Sequence, residues 1–406
     1  MINTSPKWTV EQLQAFRSQS DPVADAVIVD IFSRGDQAAV RALFDQLVHN
    51  QDIPPAGFDP VVARYFEETA HFPSYADPAL IREGEAVFAK YGMFASMVLF
   101  CKSLPECYTG RRGAQVLFAT GRLGSKDPRA LARRLMETAQ FVIDVLSPGG
   151  LSPAGKGVRS AQKVRLIHAS IRHFLKQRGW DTEDLGEPLN QEDKAGTLMA
   201  FSALLLDGFK MMQIGLTPRE QEAYFHCWRI VGHIMGVDPA LIPANYAEGE
   251  QLGQMIIHHQ AEPSPEGKEL AAAAIHFMES MAGGPLFHDV PEALTRFFIG
   301  DQYADLLGLA PHEDLMRNLA PRMTKLIGRT VSHTEERHPV FRELAKSFNL
   351  TLLKAQVAHF NNHKAIHFYI PPSLRGDWKI PVEWVDKWSL PLFNWRLAVQ
   401  KKRTEL

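Results

Sequence analysis

Residues 134–141 read R-L-M-E-T-A-Q-F, residues 147–157 read S-P-G-G-L-S-P-A-G-K-G, and residues 164–172 read V-R-L-I-H-A-S-I-R. In the outer two pieces apolar side chains recur three and four residues apart, the period of a half-buried helix. The middle piece has no such period. Its prolines and glycines stop one helix and release the chain for the next. Together the three pieces predict a helical hairpin, Pro128–Leu146 followed by Val158–Arg178. Asp127 is the expected N-cap with Pro128 in the first turn, and Gly179 closes the second helix.

The same period runs outward from this hairpin. It predicts helices over Asp21–Phe32 and Asp36–Val48, each opened by a capping aspartate, and a more apolar, buried helix over Phe88–Leu104. Asn190–Met212 follows, with Asn190 and Asp193 spaced as a capping box. Thr217–Met235 is next, with Thr217 as cap and Pro218 in the first turn. Further helices are expected over Gln251–Gln260, Glu266–Met281, Glu292–Phe298 and roughly Val340–Phe368. No run alternates with period two, no segment repeats, and no Gly/Ser linker divides the chain. The expectation is one all-α domain over 1–406, with an irregular Pro- and Trp-rich extension from about 371 to 406.

Composition narrows the partners. The 406 residues are 45% hydrophobic and 22% charged, with a formal net charge of −2. This is a globular composition without the basic excess that nucleic acid requires, so none is expected as partner. The three cysteines, Cys101, Cys107 and Cys227, do not make a disulfide framework. No uncharged apolar run reaches bilayer length, and the first residues carry no signal-peptide core. The expectation is a cytoplasmic protein without stable membrane insertion.

Arg134, Glu137 and Thr138 lie three and four residues apart, so a helix presents a guanidinium, a carboxyl and a hydroxyl on one face. Read alone, Arg134 and Glu137 make a surface ion pair. His168 leaves the side of its helix that also carries Val164, Ile167 and Ile171, with Arg165 and Arg172 flanking it. An imidazole on an apolar face is most often a satisfied core residue. Its functional reading is an axial ligand of haem iron, with the two arginines available to the propionates.

These residues carry a resemblance. Arg134-x-x-Glu137-Thr138, the Gly-rich connection, R-L-I-H-A-S-I-R at 165–172, N-Q-E-D-K-A-G-T-L-M-A-F-S at 190–202 and T-P-R-E-Q-E-A-Y-F-H-C-W-R-I-V-G-H-I-M-G-V at 217–237 resemble the latex-clearing-protein family. The likeness covers roughly 111–242. That group holds rubber oxygenases with b-type haem, together with fungal oxygenases that cleave a farnesyl chain. The resemblance implies a globin-like helical core around haem b, with His168 as proximal iron ligand and Arg134 and Thr138 on the distal side. The rubber-cleaving branch has a lysine where this chain has Glu137. It also has a distal glutamate before the arginine, in an interval that holds no acidic residue here between Glu106 and Asp127.

The expected activity is that of a haem-dependent oxidoreductase. Its substrate would be an apolar, unsaturated or isoprenoid-like small molecule, with oxidative C=C cleavage and Glu137 as the proton-moving group. Phe141 and the Leu198–Leu206 segment are expected pocket walls. Two alternatives stand beside it: a peroxidase or peroxygenase using Arg134 and Glu137 with peroxide, and a haem-binding sensor or carrier without turnover.

Other constellations are weaker. His359, His363 and His367 recur every four residues, as a metal site or a polar helix face. Glu335-x-x-His338 lacks the second half that a di-iron bundle needs, since His276-x-x-Glu279 runs in reverse order. His226 and His233 sit beside Cys227 and Trp228 and read as core. Gly149–Gly157 lacks the preceding strand of a phosphate-binding loop and reads as a connection.

Overall fold

Side-chain caps start several helices where the sequence placed them. Asp21 accepts from Ala24 N–H, Asn190 Oδ1 accepts from Asp193 N–H at 2.9 Å, and Thr217 and Glu220 complete a reciprocal capping box. Each such cap satisfies amides that a helix start leaves without partners. The computed structural model describes residues 7–48, 59–120, 128–281 and 289–311. All of them belong to the larger of the chain's two compact units, Met1–Tyr369. The expected helix over 340–368, the irregular stretch from 371, the histidines at 359, 363 and 367, Glu335–His338 and the Asp127 cap lie outside the described residues.

The order is α1 (Val10–Phe16), α2 (Pro22–Ser33), α3 (Gln37–Val48), α4 (Pro60–Glu68), α5 (Pro78–Val98), a π turn (Leu99–Ser103), α6 (Leu104–Thr109) and α7 (Arg111–Ala119). After these come α8 (Pro128–Leu146), α9 (Lys156–Gln177), α10 (Thr182–Leu185), α11 (Gln191–Phe201), α12 (Ala203–Met211) and α13 (Pro218–Ile234). The series ends with α14 (Tyr246–Gln260), α15 (Pro265–Met281), α16 (Val290–Ile299) and α17 (Asp301–Leu306). No strand occurs among the described residues, only an isolated antiparallel bridge between Gly110 and Ala261. The expected all-α class is what the chain adopts. No single described helix is long and apolar enough to cross a membrane.

Two expected helices differ in form. The Phe88–Leu104 helix begins earlier, at Pro78 behind an Asp77 cap, and leaves α5 through the π turn. Pro105 lies just beyond that turn and has no N–H to give back to the preceding turn. The Leu104 N–H reaches five residues back, to Leu99 O, instead of four. Asn190–Met212 is two helices rather than one, broken at Ser202 with φ −115 and ψ −91. The Ser202 hydroxyl donates to Leu198 O at 2.7 Å, and side-chain competition of this kind weakens a helix from within.

The α8–α9 hairpin sets the rest. In its loop Gly157 N–H donates to Gly150 O at 3.0 Å, and Glu85 of α5 accepts from Gly149 N–H at 3.1 Å. A Cβ on Gly157 would stand 2.6 Å from Val145 Cα and 2.8 Å from Asp144 O, so only glycine lets the two helices close here. Ser160 donates to Asp144 Oδ2 at 2.7 Å across the same junction. Against this pair pack α5 and α13, whose Tyr224, Phe225, Trp228 and Val231 are buried in the main apolar cluster. Burying such aromatic side chains is a large share of what holds a helical core.

Candidate active site

A cavity of about 260 Å³ opens inside this cluster. The volume is close to the lower end of ordinary ligand pockets, roughly 300–1,000 Å³. Helices α8, α9, α11, α13 and α14 supply its walls, and the π turn with α6 and α7 closes one end. Its aromatic wall is Phe141, Phe201 and Trp228, with Phe201 and Trp228 stacked at 5.1 Å. Leu198, Ala200 and Leu204 join them, so the wall expected from Phe141 and the Leu198–Leu206 segment is in place.

Three of the expected site residues meet here. Glu137 and Thr138 of α8 and His168 of α9 all line the cavity, and Glu137 is buried at 3% exposure. The hairpin brings them together across the Gly-rich loop, with Val164 one turn before His168 on the same wall. Arg134 is a residue of α8, and its side chain lies outside the described set.

Arg165 and Arg172 are not brought to the cavity. Arg165 makes a two-pronged pair with Asp21, Nε to Oδ2 and Nη2 to Oδ1, both at 2.8 Å. Its third nitrogen donates to Ile234 O at 3.0 Å. Arg172 Nε donates to Asp25 Oδ1 at 2.8 Å. Each helical residue turns the side chain by about 100°. Arg165, one residue after Val164, therefore faces α2 while Val164 and His168 face the cavity. The propionate role expected of these two arginines finds no support, because neither lines the cavity and their donors go to Asp21, Asp25 and the carbonyls of Ile234 and Leu189.

The cavity also holds polar residues that the sequence reading did not single out: Glu106, Asp193, Lys194 and Gln260. Lys194 donates to Asp21 Oδ2 at 3.0 Å and to Gly236 O at 2.6 Å. Burial outweighs its attraction to Asp21 and brings its pKa down to about 8. For Asp21, burial pushes up, but the hydrogen bonds and charges of Arg165 and Lys194 prevail and hold the carboxyl at about 2. Asp193 accepts from Arg17 Nη1 at 3.0 Å. Burial raises its pKa, and Arg17 opposes the rise. Leu189 lines the cavity with φ +53, a left-handed conformation uncommon for a side chain of its size. Glu106 had a signal in the sequence, since it follows a proline inside a helical apolar run. Leu189 had none.

Other histidines have structural partners. His226 Nε2 accepts from Asp77 N–H at 3.0 Å, His233 donates to His71 O at 3.1 Å, and the His276 side chain, 74% exposed, lies 3.7 Å from Glu279. His226 is buried, as the core reading expects, whereas His233 is only part-buried and its bond to His71 lies at the surface, which corrects that reading. Among the described residues no group of three His, Cys, Asp or Glu side chains converges to hold a bare metal ion. The cavity instead offers a single imidazole on an apolar wall. That donor set suits a metal that brings its own equatorial ligands and needs one axial nitrogen from the protein.

The all-α body thus encloses an apolar cavity with a carboxyl, a hydroxyl and an imidazole on its walls. The family model "ER-bound oxygenase mpaB/B'/Rubber oxygenase, catalytic domain" matches residues 112–332, more than half of the chain, and the chain belongs to this family. It is therefore an enzyme, an oxidoreductase of the oxygenase kind. The rubber oxygenase of Streptomyces sp. (strain K30) is 25% identical over 311 residues, 76% of this chain and 75% of that protein. A solved structure of latex clearing protein LCP in the closed state superposes with a TM-score of 0.70 at 23% identity, covering 83% of this chain and 91% of that one. The fold is thus shared, and the resemblance read from the sequence was to the right family.

Proposed function

We propose that this chain is a haem b-dependent oxygenase that acts on an apolar, unsaturated, isoprenoid-like small molecule and cleaves a C=C bond oxidatively. One observation carries the reading: the α8–α9 hairpin sets His168, Glu137 and Thr138 on the walls of a single apolar cavity. His168 would hold the iron. Haem, when bound, supplies the dioxygen site and the redox chemistry.

The chain's own residues do the rest. Phe141, Phe201 and Trp228 receive an apolar chain and exclude water from it. Glu137, buried in that wall, accepts a proton from an allylic carbon and returns it, the work of a general base in a dry site. Thr138 donates a hydrogen bond to an oxygen atom beside it, and Arg134, assigned by resemblance, stabilises negative charge there. Arg165, Arg172 and Lys194 are each paired with Asp21 or Asp25, so none of them is assigned to an anionic edge of the cofactor. Membership of an oxygenase family favours dioxygen over peroxide and turnover over sensing.

An absorption spectrum of the protein expressed with haem supplied tests the first step, with a Soret band expected. His168→Ala should empty the pocket, and full haem retention in that variant would remove His168 as ligand. Glu137→Gln should keep haem and lower dioxygen consumption on a farnesyl-chain alcohol by roughly 10²–10⁴-fold. Unchanged consumption would place the base elsewhere. Reaction with peroxide but not dioxygen would replace the oxygenase with a peroxygenase.

A further inference from the structure

The end of the cavity formed by the π turn holds charged groups that the proposed chemistry does not use. Lys102 sits in the π turn and Glu106 one turn later in α6, and both are buried, at 2% and 5% exposure. Lys102 Nζ pairs with Glu106 Oε1 and stands 3.4 Å from Asp207 Oδ2 of α12. The Asp207 side chain is 27% exposed, so it is the end of the row that meets solvent. Glu106 lines the cavity, and its other oxygen, Oε2, is buried with no hydrogen-bond partner among the described residues. A buried carboxylate oxygen left in that state costs about 1–3 kcal/mol or more and calls for an explanation.

Local structure holds the row in register. The π turn, a form of helix often found at functional sites, carries Lys102 on its inner side. Gly208, next to Asp207, lets α12 come close: a Cβ there would stand 2.4 Å from Val98 Cγ1 and 3.3 Å from Lys102 Cδ. Burial pushes the Glu106 carboxyl above the usual carboxylate range, and Lys102 only partly offsets this. Burial pulls Lys102 down, yet Glu106 and Asp207 together hold it above the ordinary lysine value. The other titratable groups that feel this row are Cys107, beside Glu106, Tyr303 of α17 and Tyr246 of α14. Burial raises all three, so none competes for the proton.

We infer that Asp207, Lys102 and Glu106 form a proton relay between solvent and the oxygenase cavity, with Glu106 Oε2 as its inner terminus. The inference rests on the reading of the cavity as the active site. Solvent water protonates Asp207. Lys102 passes one N–H proton to Glu106 Oε1, and its freed lone pair takes the proton from Asp207, so it begins and ends as an ammonium. The Glu106 carboxyl then turns about its Cγ–Cδ bond, which carries the protonated oxygen to the cavity side, and a basic group in the cavity takes the proton from there. One proton enters and one leaves, with no net change on the row. The same steps in reverse carry a proton out.

The test that does not depend on cofactor is infrared spectroscopy of the purified full-length chain, without added haem, on dilution from H₂O into D₂O. A protonated-carboxyl band that grows as pH falls is expected, and Glu106→Gln should remove it. Its conversion to the deuterated form should slow by about tenfold or more in Asp207→Asn, a substitution at a part-exposed site that spares the fold. If Glu106→Gln removes no band, or Asp207→Asn exchanges at the wild-type rate, the relay is overturned. A merely structural Lys102–Glu106 pair would lower the melting temperature of Glu106→Gln and leave exchange in Asp207→Asn untouched, which also overturns it. In haem-loaded protein, both variants should keep full haem, shift the pH–rate profile and raise the solvent isotope effect. A chain that takes up no haem would sink the functional reading and leave the infrared result standing, so the two fail separately.

Discussion

Helix α9 carries two faces built from similar residue types and put to opposite uses. On one, Val164 and His168 line the cavity. On the other, Arg165 and Arg172 are buried against Asp21 and Asp25 of α2. Lys194 joins Asp21 from α11, and Arg17 pairs with Glu192 and Asp193 nearby. The cavity face needs groups available to a guest. The α2 face needs groups whose charges are fully matched, because an unmatched buried charge costs several kcal/mol. A cation close in sequence to a cavity histidine is thus no guide to what the cavity binds. Its partner decides, and the partner lies more than a hundred residues away in the chain.

Asp21→Asn breaks the matched face most severely. It leaves Arg165 and Lys194 buried beside each other without their shared carboxylate, at a cost of about 3–5 kcal/mol. Urea denaturation should show that loss, and a change under about 1 kcal/mol would mean that the two cations find water or another partner. The pH dependence has a definite sign. Asp21 is held at about 2 against a reference of 3.8, so its contribution is present above 3.8 and is lost as pH falls from there toward 2. Acid unfolding of Asp21→Asn should lack that limb.

Gly157→Ala tests the joint between the two faces and ranks next. The added methyl meets Val145 Cα at 2.6 Å and Asp144 O at 2.8 Å, so α8 and α9 must part. Overpacking of this kind costs about 1–3 kcal/mol. It also moves Glu137 and Thr138 away from His168, so turnover should fall by more than the loss of folded protein explains. Equal losses of the two would show that the hairpin sets stability alone.

That joint is also where the sequence was most legible. The Pro128 start, the Pro148–Gly150 stop and the apolar period of 164–171 state a hairpin outright, and the hairpin is what brings Glu137, Thr138 and His168 to one cavity. What the sequence left hidden depends on long-range partners or on small changes of helical phase. Arg165 and His168 differ by three residues on one helix, and only the position of α2 tells which is committed. The break at Ser202 arises from one hydroxyl competing inside an otherwise regular pattern. Lys102 and Glu106 are spaced i, i+4, but only the π turn and α12 show that Asp207 joins them in a buried row. Leu189, held at positive φ on the cavity wall, carries no local signature.

The smallest expected effect sharpens the comparison from outside. Arg219 and Glu83 make a two-pronged pair at 2.6 and 2.7 Å, as well formed as that of Arg165 with Asp21. Both side chains are exposed, at 67% and 40%. Water already solvates each charge, so the contact replaces good hydration with good pairing and gains little. Glu83→Gln should leave the melting temperature unchanged within error, in low salt and in high salt alike. If it instead destabilised the protein as much as Asp21→Asn does, pairing geometry and not burial would set the value of these contacts, and the division of α9 into a matched face and an available face would lose its physical basis.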